Sequence, residues 1–113
     1  MLPKENRLNM TTDIEEVKSK GKKVSGKSLM ILVLEKGDKK DSRFGIIVSK
    51  NVSKKAVYRN RAKRIIRESI NSVLSKVKVG YNVVVIARSN IVGLDFNEVN
   101  NDLKNVFSKA RII

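Results

Sequence analysis

The chain has 113 residues, which suits one domain spanning residues 1–113 with a single modest core. Lysine and arginine number 25 against 11 acidic residues, so the formal net charge is +14. Such a charge favours a polyanionic partner, and nucleic acid ahead of an anionic membrane surface. The absence of cysteine and histidine from the sequence excludes disulfides, cysteine-ligated zinc, thiol nucleophiles and imidazole bases.

The first ten residues, MLPKENRLNM, are predicted to form a loosely ordered, basic lead-in that contains the one proline, Pro3. They lack the apolar core and the small-residue cleavage site of a secretory signal. No apolar run approaches the roughly 20 residues needed to span a bilayer. We therefore expect a cytoplasmic protein without a membrane partner.

A short helix is predicted after this lead-in. Thr12 and Glu15 have the spacing of a capping box, and Gly21 is expected to end the helix after about two turns. Several lysines around and beyond this end form a second basic cluster, which by itself is typical of a solvated loop: Lys18, Lys20, Lys22, Lys23 and Lys27.

Three apolar segments are predicted to be strands. Residues 29–35, LMILVLE, are apolar almost throughout, as expected for a strand covered on both faces. A charged hairpin turn containing Gly37 leads to the second strand, residues 44–48, FGIIV. The third strand is residues 83–87, VVVIA, in which β-branched side chains predominate.

A long basic helix is predicted between the second and third strands, with Ser53 as its cap and an end at residues 77–80. Residues 50–67, which include the first part of this helix, hold eight basic side chains and no acidic one. A helix turns about 100° per residue, so side chains spaced by three and four share a face. Seven apolar residues share such a face and form a stripe that must pack on a core: Ala62, Ile65, Ile66, Ile70, Val73, Leu74 and Val77.

A basic face lies beside this stripe. It is formed by Asn60, Lys63, Arg64, Arg67 and Asn71, with Arg59 at its edge, whereas Arg61 and Glu68 point away from it. Arginine donates in pairs to phosphate and stacks on bases, so concentrated arginine indicates contact with nucleic acid. The alternative is a solvated face, but such faces usually interleave glutamate with lysine, and this one has no acid before Glu68.

The chain is predicted to end in an amphipathic helix. Asp95 and Glu98 have capping-box spacing, and apolar residues then recur at three and four: Phe96, Val99, Leu103, Val106, Phe107 and Ala110. The element order predicts an α+β fold with a small mixed sheet of about four strands, a long basic helix and two further helices in two layers. The strands at 44–48 and 83–87 are expected to be parallel, because a long helix connects them.

No catalytic site of the protein itself is predicted. Glu35, Asp38 and Asp41 are the closest group of acids, and their position around Gly37 favours a solvated turn over a metal site. The six glycines lie singly, so no phosphate-binding glycine loop is present. Phe44, Phe96 and Phe107 are placed in the core, which leaves only Tyr58 and Tyr81 as possible exposed rings.

The segment VSKNVSKKAVYRNRAKRIIRES, residues 48–69, closely resembles the signature of the bacterial ribonuclease P protein subunit, whose hallmark is an Arg-Asn-Arg core within a basic helix. The segments DIEEVKSKGKKVSGKSLMILVL and GYNVVVIARSNIVGLDFNEVNNDLKNVFSKA resemble the first and last parts of that family. The resemblance therefore covers nearly the whole chain. It implies a small α/β sandwich with a left-handed parallel crossover around the long helix, in agreement with the element order.

The resemblance also implies an activity, that of a protein cofactor of a ribozyme. The RNA subunit, using Mg²⁺, would cleave the 5′ leader from precursor tRNA, while the protein binds the leader and the catalytic RNA. The protein would thus belong to an endoribonuclease holoenzyme without supplying catalytic residues. This agrees with the lack of a recognisable catalytic or metal motif.

Site residues follow from the matched positions. The resemblance assigns RNA binding to Lys50, Asn51, Arg59, Asn60, Arg61, Lys63, Arg64 and Arg67. Arg61, which points away from the basic face, is also a candidate for a structural role. The leader cleft would include Ile14, Lys18 and Leu32, where many members carry aromatic rings and this chain does not.

Two alternatives share the same charge. One is a ribosomal or other structural RNA-binding protein, and the other is a DNA-binding module that places the basic helix in a major groove. Co-sedimentation with ribosomal subunits would indicate the first, and a preference for duplex DNA at fixed salt would indicate the second.

Overall fold

A computed structural model describes residues 2–9 and 12–113 of the chain. Three helices and four strands follow one another in the order α1 (Thr12–Lys20), β1 (Lys22–Ser25), β2 (Leu29–Glu35), β3 (Arg43–Ile47), α2 (Ala56–Val73), β4 (Tyr81–Ala87) and α3 (Phe96–Lys109). Short 3₁₀ turns occur at Lys4–Asn6, Leu74–Lys76 and Ser89–Ile91.

The four strands form one mixed sheet in the order β1-β2-β4-β3. β2 pairs antiparallel with both β1 and β4, with Met30 opposite Ile86 across the β2–β4 ladder. β3 and β4 are parallel neighbours, with Ile46 opposite Val85. The predicted α+β class and the predicted parallel pair are confirmed. The predicted hairpin between β2 and β3 is wrong, because β4 lies between these two strands in the sheet.

The main core lies between the sheet and the two long helices. Leu29, Ile31 and Val33 of β2 and alternate residues of β4 point to this side, where α2 and α3 cover them. Phe44 and Phe107, both predicted as core residues, stack there with ring centroids 5.9 Å apart. The predicted two layers therefore correspond to the sheet and to the pair of helices α2 and α3 that covers one of its faces.

The first helix lies on the opposite face of the sheet. Ile14 and Val17 of α1 pack with Val84 and with half-buried side chains of β2, β3 and β4. Gly45 permits this approach, because a Cβ atom at that position would lie 3.3 Å from Ile14 Cδ1. The apolar run of β2 is thus explained by cover on both faces, and α1 adds a third element to the two predicted layers.

The N-terminal segment is docked on the edge of the sheet, where the sequence predicted a loose lead-in. The Leu8 N–H donates to the Phe44 carbonyl at 3.1 Å, and Asn6 Nδ2 donates to the Ser42 carbonyl at 2.8 Å. Leu2 and Leu8 are buried. Residues 1 and 10 of the predicted lead-in lie outside the described residues.

The prediction of a solvated loop around Lys22 and Lys23 is wrong, because both residues belong to the edge strand β1. It pairs with β2 along its length, and Val24 alone in it is half-buried. Lysine is common on edge strands because its charge discourages pairing with another chain. Four residues with so little apolar pattern give no local signal for a strand, so the prediction missed it.

Helix starts agree with the predictions in part. The Asp95 side chain caps α3 by accepting the Glu98 N–H at 2.9 Å, as predicted. Ser53 is not the cap of α2, which begins after Lys55, and its Oγ instead accepts the Lys55 N–H at 3.2 Å. Thr12 is the first residue of α1, and its N–H donates to Asn9 Oδ1 at 3.3 Å.

A buried carboxylate joins α3 to the turn between β1 and β2. Asp102, 8% exposed, accepts the Ser28 N–H and hydroxyl at 2.6 and 2.7 Å and the Lys27 N–H at 3.0 Å. Burial by itself would raise the pKa of Asp102, but these hydrogen bonds stabilise the charged form and hold the pKa below its ordinary value of 3.8. The ionised carboxylate is therefore part of the folded structure.

We predict that Asp102→Asn lowers the free energy of unfolding at pH 7 by about 1–3 kcal/mol, because an amide presents a donor to other donors. A depressed folded-state pKa contributes stability above the unfolded pKa, and that contribution is lost as pH falls through the folded value. Urea unfolding from pH 7 to pH 2 should therefore show the two proteins converging in acid. A difference that stays constant over that range would contradict the role of the charge.

Candidate nucleic-acid interface

The apolar stripe of α2 packs on the sheet as predicted. Ala62, Ile65, Ile66, Ile70 and Val73 are buried. Leu74 and Val77, which follow the end of the helix, are half-buried against the same core. Burial of this stripe fixes the rotation of α2 about its axis, so the remaining faces of the helix, including the basic face beside the stripe, are directed outward.

The outward side of α2 carries the α2 basic face, defined here as Asn60, Lys63, Arg64 and Arg67. Asn60 and Arg64 are exposed, and Lys63 and Arg67 are half-buried. Within residues 2–9 and 12–113 the one ion pair joins Lys36 to Glu16, so none of these cations is paired with an acid. Their charges are available to an anionic partner.

Two arginines of the Arg-Asn-Arg segment hold neighbouring loops. Arg59 Nη1 donates to the carbonyls of Ser53 and Lys54, each at 2.9 Å, and so fixes the loop before α2. Arg61 Nη1 donates to the Leu94 carbonyl at 3.2 Å, which links α2 to the segment before α3. The structural role expected for Arg61 from its direction is consistent with this contact.

The N-terminal end of α2 is electropositive. Its cap, Lys55, makes no side-chain capping bond, and the first turn contains no acidic residue. The first N–H groups of a helix have no intrahelical partner, and the helix dipole there favours an anion. Lys50 and Asn51, also predicted as binding residues, lie exposed in the loop that leads to this end.

Two exposed side chains on the first turn of α2 were not assigned to the site from the sequence. Val57 is 67% exposed, and Tyr58 is 44% exposed with Lys55 Nζ 5.7 Å from the centre of its ring. Both fall outside the apolar stripe, which is the signal that could have identified them. They place an apolar and an aromatic surface beside the basic face.

A second surface, here called the open strip, lies on the α1 side of the sheet. Half-buried Ile47 and Ile86 are neighbours across β3 and β4, and half-buried Met30 lies opposite Ile86. α1 is too short to cover them. These residues were not assigned to a binding surface from the sequence. A sheet with two apolar faces and a single short helix on one of them must nevertheless leave apolar surface open.

The three predicted cleft residues have different environments. Lys18 is exposed on α1, and Leu32 is half-buried on the same side of the sheet. Ile14 is only 4% exposed and packs against Gly45. The structure thus brings all three to the α1 side of the sheet but places Ile14 in the packing beneath α1 and not on an accessible wall.

No group of three or more histidine, cysteine, aspartate or glutamate side chains in residues 2–9 and 12–113 could hold a metal ion. In the same part of the chain, no helix is both long and apolar enough to cross a membrane.

The sequence model of the ribonuclease P protein family matches residues 2–111. The chain belongs to this family. It is 38% identical over 113 residues to the ribonuclease P protein component of a Pseudanabaena species, covering 100% of this chain and 97% of that one. It is 40% identical over 112 residues to that of a Synechocystis species, covering 99% and 90%.

Solved ribonuclease P proteins have the same fold. The Staphylococcus aureus protein superposes with a TM-score of 0.85 at 28% identity, covering 96% of this chain and 98% of that one. The α+β arrangement is therefore the fold of the ribonuclease P protein family.

We predict effects on stability of very different size at two nearby positions of α2. Ile66→Ala should lower the free energy of unfolding by about 2–5 kcal/mol, because the side chain is fully buried. Arg64→Ala should change it by less than about 0.5 kcal/mol, because the side chain is exposed and unpaired. Thermal or urea unfolding of both variants measures this. A larger loss for Arg64→Ala would show that the two faces are assigned the wrong way round.

Proposed function

We propose that this ribonuclease P protein works in the cytoplasm as the protein subunit of a holoenzyme whose RNA subunit removes the 5′ leader from precursor tRNA. The observation that supports this most directly is the α2 basic face, whose cations form no ion pair among the described residues while the stripe beside them is buried. A rigid helix held in this way presents several positive charges at fixed spacing. Such an arrangement fits the phosphates of a folded RNA.

Chemistry is assigned to the RNA subunit. The sequence has no histidine and no cysteine, and the acids of residues 2–9 and 12–113 form no cluster that could hold a metal ion. Water activation by protein side chains would need one of these groups in a cluster. We therefore propose that Mg²⁺ is held by RNA and that the protein acts by binding and positioning.

Contacts with the catalytic RNA are assigned to the α2 side. Arg64 and Arg67 can donate in pairs to phosphate, and Lys63 and Lys50 supply further charge. The uncapped start of α2 offers N–H groups to one more phosphate. Arg59 and Arg61 contribute by fixing the loops on either side of this surface.

Binding of the leader is assigned to the open strip and its rim. Met30, Ile47 and Ile86 offer apolar surface to bases, and Lys18 on α1 offers charge to phosphates. β3 ends in this strip at Ile47, and the chain continues through Val48 to Lys50 and Asn51, so leader and catalytic RNA would bind on adjoining surfaces. No aromatic ring stands at Lys18 or Leu32, so charge should dominate the leader affinity.

Reconstitution tests the proposed function. Purified protein alone should leave precursor tRNA intact in Mg²⁺, and a ribonuclease P RNA subunit with added protein should cleave it at lower Mg²⁺ than the RNA alone. The reason is that protein cations replace part of the metal screening between RNA and substrate. Cleavage by nuclease-free protein alone, or no gain from adding it, would contradict the proposal. Binding only to duplex DNA would instead indicate a DNA-binding module.

We predict that the affinity gained from a leader falls steeply as salt rises, because ionic contacts are screened and stacking contacts are not. Holoenzyme binding to precursor tRNAs with and without a leader, over a salt series at constant Mg²⁺, measures this gain. Lys18→Ala and Lys18→Phe both remove the charge, but the ring can stack on a base for about 1–3 kcal/mol. The leader gain at high salt should therefore be larger for Lys18→Phe than for Lys18→Ala. A leader gain in the wild type that does not change with salt would refute this account of the cleft.

A further inference from the structure

Three lysines of the second basic cluster, Lys20, Lys22 and Lys23, form part of the wall of a cavity. Lys20 ends α1, and Lys22 and Lys23 lie on β1. Lys109 and Arg111, at the end of α3, approach the same place from another part of the chain. These five cations line one cavity of about 650 Å³.

Part of the lining of this cavity is apolar and includes one tyrosine. Val33 of β2, Val24 of β1 and Tyr81 of β4 line it on the α3 side of the sheet. Tyr81 is half-buried and lies opposite Glu35 across the β2–β4 ladder. Apolar side chains and a tyrosine beside several cations fit an unpaired nucleotide, whose base can stack while its phosphates meet the cations.

Four of the five cations have no acidic partner in the part of the chain that the structure describes. Lys22, Lys23, Lys109 and Arg111 form no ion pair with the acids of residues 2–9 and 12–113. Glu35 is the one carboxylate among the lining residues. The cavity therefore carries a strong positive potential.

Arg111 adopts a backbone conformation that normally belongs to glycine. Its φ is +61°, and it follows the last turn of α3 in a Schellman motif, in which the Ile112 N–H donates to the Phe107 carbonyl at 3.2 Å and the Arg111 N–H to the Ser108 carbonyl at 3.0 Å. Glycine is preferred at this position because it has no Cβ atom to strain. Here a long cationic side chain occupies the position and lines the cavity.

Each of these cations, taken alone, has a structural explanation. Lysine on the edge strand β1 discourages aggregation, and a cation at the end of α3 is favourable to the helix dipole. Neither explanation accounts for cations from three separate elements lining one cavity. Neither explains an arginine where glycine would be less strained, because Lys109 already supplies the cation at the helix end.

We propose that this cavity is a second RNA-binding site, separate from α2, that takes a single-stranded RNA segment with a base on Tyr81 and phosphates on Arg111, Lys109 and Lys22 of β1, which pairs with Val33 on the same side of the sheet as Tyr81. No residue of the α2 basic face lines it. The inference rests on the proposed function only as regards the identity of the RNA that binds. The source is either the RNA subunit or precursor tRNA, since both present phosphodiesters and unpaired bases.

Arg111→Gly separates strain from function. The variant should melt a few degrees higher than the wild type, because glycine relieves the left-handed conformation. It should nevertheless bind an unstructured oligouridine roughly fivefold more weakly, the effect of one lost charged contact at a partly exposed site. The slope of log affinity against log salt concentration should become less steep by about one unit or slightly less, as expected for the loss of one phosphate contact. Arg111→Lys should retain most of the binding.

Lys109→Ala and Lys104→Ala form a matched pair, because both remove an exposed lysine from α3 and only Lys109 lines the cavity. Binding should fall for Lys109→Ala and remain near the wild-type level for Lys104→Ala. Equal losses for the two, or unchanged oligouridine binding by Arg111→Gly, would overturn the proposal. An Arg111→Gly protein that melts lower than the wild type would overturn the argument from strain.

Two further arms identify the RNA. Affinity of each variant for the RNA subunit, and affinity of each reconstituted holoenzyme for precursor tRNA, are measured over the same salt series. A loss in the first arm assigns the cavity to the RNA subunit, and a loss confined to the second assigns it to the substrate. The oligouridine assay uses the full chain without RNA subunit, so it judges this site even if reconstitution of ribonuclease P activity fails.

Discussion

The packing of α2 on the sheet is the constraint on which the rest of the structure depends. β3 and β4 are parallel neighbours, so the chain must cross over between them, and α2 makes that crossing. Ile66 and Ile70 are fully buried against the sheet, which fixes how the helix is rotated. The same burial that stabilises the fold thus orients Asn60, Arg64 and Arg67 outward, and the binding surface follows from the core.

A sheet with two apolar faces is the second feature that shapes the surface. Alternate residues of β2 and β4 belong to the core under α2 and α3, and the others belong to the packing under α1. Because α1 is short, Met30, Ile47 and Ile86 remain half-buried. Apolar surface is left open there, and the proposed leader site combines it with the charge of Lys18 on α1.

Strong local patterns made most of the fold predictable from the sequence. The apolar strands, the stripe of α2 and the Asp95 cap of α3 all depend on side chains close together in the chain. Features that depend on distant partners were missed. β1 exists because β2 pairs with it, and the docking of Leu8 on β3 depends on the Phe44 carbonyl.

The binding residues show the same division. The outward direction of Asn60 and Arg64 follows from helical periodicity alone. The hydrogen bonds of Arg59 and Arg61 to backbone carbonyls, the burial of Ile14 under α1 and the left-handed backbone of Arg111 arise from tertiary contacts that periodicity does not encode.

One measurement tests the central claim that α2 presents its basic face to RNA. Since the sequence has no cysteine, a single cysteine at Asn60 or at Lys104 can carry a photoactivated cross-linker. In the reconstituted holoenzyme, the probe at residue 60 should cross-link to the RNA subunit and the probe at residue 104 should not; equal cross-linking from both, or none from residue 60, would contradict the claim.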